Sequence, residues 1–142
     1  MLNVDRWPGP PIHDAVAVAV LVAPWLIERG SLRVDGELGD DPDLHVAAFT
    51  YASDVSLLGS TLSVHDENPA KIQMASLDHT LWFHRPFRAD EWWLYDQWSP
   101  SASGARGLAL ARVFTDDGTL VANVDQEGLI RMRGRWHQNA LH

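Results

Sequence analysis

Apolar and polar positions change their spacing several times along the chain, and each change predicts an element. Val16, Val18, Val20 and Val22 alternate with small residues, a period of two that favours a buried strand over an alanine-rich helix. Residues 25–32 read as a second short strand closed by Gly30, and residues 36–43 as an acidic turn region. From Leu44 the spacing lengthens to three and four. Leu44, Ala47, Ala48, Tyr51, Val55, Leu58 and Leu62 define one helical stripe ending around Gly59, the pattern of a helix with one buried face. Its start is marked by Asp41 as N-cap, Pro42 at the first helical position and Asp43 at the positive end of the helix dipole.

Residues 60–70 are predicted to be polar loop. Alternation returns over residues 71–83, which puts Ile72, Met74, Ser76, Asp78, Thr80 and Trp82 on one face of a strand. Pro86 ends it, residues 88–91 form a polar turn, and residues 92–98 form the next strand. Residues 99–104 read as a loop or bulge. Strands over 106–114 and 119–130 follow, joined through Asp117-Gly118, a strong hairpin signal. In the last strand Leu120, Ala122 and Val124 mark the core face, and Gln126 continues it. One or two strands, one well-marked helix and then a meander of strands make an α+β domain, an antiparallel sheet with one face packed on a helix.

Composition narrows this picture. A chain of 142 residues, 46% hydrophobic, is sized for one domain with a real core. The expected division is an irregular, proline-rich arm over residues 1–12, the folded domain over 13–134 and a loose polar tail over 135–142. Cysteine is absent, which excludes disulfides, thiolate zinc sites and a cysteine nucleophile. The net charge of -8 falls entirely in residues 1–70, where eight Asp and three Glu meet three Arg; residues 71–142 balance eight acidic against eight basic side chains. Without a basic face, nucleic acid is an unexpected partner. The longest apolar run, residues 15–27, is interrupted by Pro24 and falls short of the roughly 20 residues a membrane helix needs. It also lacks a basic leader, because Asp5 offsets Arg6, so membrane insertion and secretion are not expected and the cytoplasm is the expected location.

The chemistry-bearing residues form no standard signature. GxSxG, GxGxxG, Walker and HExxH motifs are missing. His79 and His84 lie five apart on an extended run and point to opposite faces, so no metal site is expected. Trp82, Trp92, Trp93 and Trp98 read as core or interface mass rather than a ligand platform. What remains is Asp54 near the helical stripe, Ser76 on the next strand and Gln126 on the last, each polar at a position the local period turns inward. A carboxylate can take a proton from water while a hydroxyl and an amide orient that water, which suits hydrolysis of an activated carbonyl.

Four strings carry a resemblance: YASDVSLL (51–58), MASLDHTLWFHRPF (74–87), EWWLYDQWSPSASGARG (91–107) and TDDGTLVANVDQEGLIR (115–131). In this order they closely resemble the C-terminal half of type II acyl-CoA thioesterases, with the DHxxWFHRP and QEG pieces the most specific. The resemblance implies a hotdog fold, a single antiparallel sheet wrapped around one long helix, and hydrolysis of acyl-CoA to free fatty acid and coenzyme A without a cofactor. The family's catalytic Asp and Gln fall on Asp54 and Gln126, and its hydroxyl residue, commonly Thr, falls on Ser76. Two hotdog units are fused in that family and the resemblance covers the second, so it implies a homodimer or pairing with another hotdog unit. Arg85, Arg106 and Arg131 are candidate contacts for the phosphates of coenzyme A; ion pairing at the surface is their other reading.

Overall fold

The computed structural model describes residues 29–62 and 71–132. The predicted strand over 16–22, the arm over 1–12 and the tail over 135–142 lie outside them. The elements are β1 (Arg29–Leu32), α1 (Pro42–Asp54), a 3-10 helix (Leu57–Leu62), β2 (Ile72–Ser76), β3 (Thr80–Phe83), β4 (Trp93–Ser103), β5 (Arg106–Thr115) and β6 (Leu120–Met132). The described strands form one antiparallel sheet in the order β1-β4-β5-β6-β2, with β3 also paired to β6. This is the α+β arrangement the residue pattern predicts.

The helix starts where its sequence says. Asp41 is extended, its side chain accepts from the Asp43 amide at 3.0 Å, and Pro42 opens the first turn. The face it buries differs from the expected stripe. His45, Phe49 and Ser53 are buried, whereas Leu44 (43%), Tyr51 (81%) and Val55 (52%) remain exposed. The segment has apolar residues on two faces, and aromatic fit selects between them. Phe49 meets Trp93, Phe87, Phe83 and Tyr95 edge-on at centroid distances of 5.0, 5.2, 5.9 and 6.4 Å, an arrangement favoured by the ring quadrupoles. Truncating such a buried ring costs about 3–5 kcal/mol. Leu58 and Leu62 are buried as predicted, but from the 3-10 helix, because α1 ends at Asp54. Ser60 and Thr61, expected in a loop, are buried there too, their hydroxyls bonded back to the carbonyls of Leu57 (2.8 Å) and Leu58 (2.6 Å).

The predicted strand over 71–83 divides. Ser76 pairs with Gly128 and Thr80 with Asp125, so Leu77, Asp78 and His79 oppose only Gln126 and Glu127. The extra residue reverses the alternation. Ile72, Met74 and Ser76 keep the predicted inner face, but beyond the break Leu81 packs on the core beside Val124, Phe83 turns its ring toward Phe49 while staying part-exposed, and Thr80 and Trp82 turn out. The Asp78 carboxylate accepts from the Glu127 amide at 2.9 Å, while the Glu127 carbonyl takes the amide of Leu77 at 2.8 Å. Asp78 thus substitutes for the missing ladder partner.

Residues 99–104 resolve as a bulge rather than a loop: β4 runs on to Ser103 with a register shift between Trp98 and Ser101, at Pro100, a position where the lack of an amide hydrogen is tolerated. A second shift at Val113/Phe114 puts Leu120 with Leu94 and Phe114 and brings Val121 into the main core. Of the four central tryptophans Trp93 is core; Trp82, Trp92 and Trp98 stay partly exposed. The polar turn at 88–91 is held by Arg88, which reaches Asp40 at 2.9 Å and Asp90 at 2.9 Å. That guanidinium holds the Asp90 carboxyl down at about 2. His45 fastens the same loops: its Nδ1 accepts from the Ala89 amide at 3.1 Å, so Nε2 carries the hydrogen and donates to the Gly39 carbonyl at 2.9 Å.

Candidate active site

Asp54, Ser76 and Gln126 come from the last residue of α1, the last residue of β2 and the inner face of β6. The fold brings the three together. Gln126 is fully buried, between Val124 in the core and Gly128. Its Nε2 donates to Asp54 Oδ1 at 2.5 Å and also to Ser76 Oγ.

Donor counting then fixes the polarity of the group. The amide has two hydrogens, one spent on Asp54 and one on Ser76. Ser76 Oγ is therefore an acceptor toward Gln126, and its own hydrogen is left to donate outward. Gln126 Oε1 is buried and has no hydrogen-bond partner among the described residues, a cost on the order of 1–3 kcal/mol that folded proteins mostly avoid. Asp54 and Ser76 are exposed. For Asp54 this corrects the expectation of a partly buried carboxylate: it ends the helix beside β2, whose outer edge carries no strand among the described residues.

The three residues border a depression of about 220 Å³, completed by Val55, Leu58 and Met74. Leu58, on one side of it, packs against Gly128. A Cβ there would run into the Leu58 side chain, so the 3-10 helix can lie directly on β6 only because that position is glycine.

Sequence reasoning missed a link behind Asp54. His79 Nε2 lies 3.2 Å from Ser53 Oγ, Ser53 Oγ donates to the Thr50 carbonyl at 2.9 Å, and the Tyr95 hydroxyl donates to the Ser53 carbonyl at 3.0 Å. Burial pushes the Tyr95 hydroxyl's pKa up, well beyond its ordinary value. The alternation of β4 could have signalled Tyr95 as inward. His79 was not legible, because its direction depends on the break in the strand. His84 takes a different partner, Asn123 Oδ1 at 2.8 Å.

The arginines separate into two places. Arg106 and Arg131 border one depression of about 200 Å³ with Ile72, Ala102, Ile130 and Met132, and Arg106 also faces Glu127 at 3.5 Å. Arg85 lies toward the opposite end of β6 and donates to the Leu120 carbonyl at 2.6 Å.

Residues 26–129 match the family model described as acyl-CoA thioesterase. The chain belongs to the acyl-CoA thioesterase family. Mouse acyl-coenzyme A thioesterase 8 is 41% identical over 111 residues, which cover 78% of this chain and 35% of that protein. Acyl-CoA thioesterase 2 of Haemophilus influenzae is 37% identical over 101 residues, covering 70% and 35%. The chain thus spans about a third of the length of these relatives. Among solved structures, an acyl-CoA thioesterase II from Mycobacterium marinum is 52% identical with a TM-score of 0.69, covering 73% of this chain and 41% of that one. The described sheet and helix are a hotdog unit, as the resemblance implies.

Proposed function

We propose that this chain is one hotdog unit of a thioesterase that hydrolyses acyl-CoA to free fatty acid and coenzyme A in the cytoplasm. The observation that carries the reading is the Gln126 amide joining Asp54 and Ser76, from three separate elements, beside an open depression. Asp54 is the general base. It takes a proton from water as the water oxygen attacks the thioester carbonyl carbon. The tetrahedral intermediate then expels the coenzyme A thiolate as the C–S bond breaks, and the proton passes to that sulfur. Ser76, with its hydrogen directed outward, donates to the attacking water and holds it. Gln126, with both amide hydrogens committed, orients the other two. No cofactor takes part. Arg106 and Arg131, which share one depression, are the better candidates for the coenzyme A phosphates; Arg85, bonded to the Leu120 carbonyl, is the weaker.

The unit works paired. Leu44, Tyr51 and Val55 leave an apolar helix face exposed among the described residues, and Val55 shares a depression with Met74 and Ser76 of the edge strand β2. Both features support a second hotdog unit, a copy of this chain or another chain, closing over the site.

Release of free thiol from medium- and long-chain acyl-CoA tests the reading. Hydrolysis that Asp54→Asn abolishes upholds it. Binding of acyl-CoA without thiol release by the associated protein overturns it and leaves a non-catalytic binding subunit.

A further inference from the structure

Gln126 holds Asp54 and Ser76 from the core side, and a second tie joins the same two segments. His79 stands in the break between β2 and β3, three residues after Ser76; Ser53 is the residue before Asp54. Ser53 Oγ spends its hydrogen on the Thr50 carbonyl at 2.9 Å. At 3.2 Å from His79 Nε2 it is then an acceptor, and the imidazole Nε2–H is the donor. Ser53 is fully buried, and on its other side the buried Tyr95 hydroxyl donates to the Ser53 carbonyl at 3.0 Å.

The location gives these bonds their consequence. Carbonyls in the last turn of a helix have no partner further along it, so a helix end frays unless something else holds it. Here the frayed residue would be Asp54, whose carboxylate accepts from Gln126. We propose that His79 is a positioning residue: through Ser53, braced by Tyr95, it sets the end of α1 against the strand break and so fixes the distance of the Asp54 carboxylate from Ser76. His79 does not touch the substrate. The proposal rests on the thioesterase reading for its effect on rate, though not for its effect on the helix end.

Two readouts on the full chain test it. In thiol release with acyl-CoA, His79→Phe, which keeps ring volume and removes the donor, and Ser53→Ala, which removes the acceptor, each lower kcat by roughly ten- to a hundredfold, the cost of displacing a reacting group by about 1 Å. KM stays unchanged. His79→Gln, which puts an N–H donor near the position of Nε2, restores most of the rate. The double variant His79→Phe/Ser53→Ala falls no further than the worse single one, because both remove one bond. In parallel, amide hydrogen exchange at Val55, which donates to the Ala52 carbonyl, speeds up in His79→Phe while exchange at Phe49 does not. Wild-type kcat in a folded His79→Phe, additive losses in the double variant, or unchanged exchange at Val55 overturns the proposal. A wild-type chain that releases no thiol defeats the thioesterase reading instead, and the exchange measurement still decides the role of His79.

Discussion

Gln126 Nε2 lies 2.5 Å from Asp54 Oδ1, although 72 residues separate them. The contact joins the last turn of α1 to the middle of β6 and makes a neutral amide the donor to a carboxylate. Gln126→Glu replaces that donor with a second negative charge. At neutral pH the variant loses on the order of 1–3 kcal/mol of stability, the cost of an uncompensated polar contact. Thermal midpoints of variant and wild type at neutral pH check this.

Gly128 faces Leu58 so closely that a Cβ there would run into the Leu58 side chain. Gly128→Ala costs about 1–3 kcal/mol by overpacking. In the presence of Leu58→Ala the added methyl has room, and the double variant is more stable than the sum of the single losses predicts. Denaturant midpoints at constant m-value measure the coupling.

Asp125 lies beside Asp78 on the outer side of the sheet. Burial, and then the Asp78 charge, push its pKa above the ordinary value. A carboxyl raised in the folded state disfavours folding once it must ionise. Asp125→Asn raises the thermal midpoint at neutral pH. The gain shrinks as pH falls through the raised folded-state pKa and disappears below the unfolded value of about 3.9. A midpoint that rises equally at both ends of that range contradicts the assignment.

Tyr51 and Val55 stand 81% and 52% exposed on the uncovered helix face. With Tyr51→Glu and Val55→Glu together, the associated chain dissociates to monomer in sedimentation. Stability of the dilute monomer moves by only about 0.5 kcal/mol per site, as surface changes do. A wild-type chain that sediments as a monomer at every concentration removes the pairing.

The sequence by itself determined what depends on neighbouring residues. Asp41-Pro42 begins α1, the Asp-Gly step turns β5 into β6, and the alternation of β6 places Gln126 inward after Ala122 and Val124. Each is a local rule of capping, turn chemistry or period. Together with the quoted strings, they made the α+β fold and the three candidate site residues legible. Tertiary structure decided the rest. The helix carries two apolar faces, and packing against the ring of Phe49 rather than period chose the buried one. One extra residue at 77–79 reversed the inward face of β3, because register belongs to the pairing with β6 and not to β3 itself. Whether Asp54, Ser76 and Gln126 met at all depended on how three elements crossed; whether Asp54 was buried depended on which strand formed the sheet edge. Such contacts join residues far apart in the chain, and no local period encodes them.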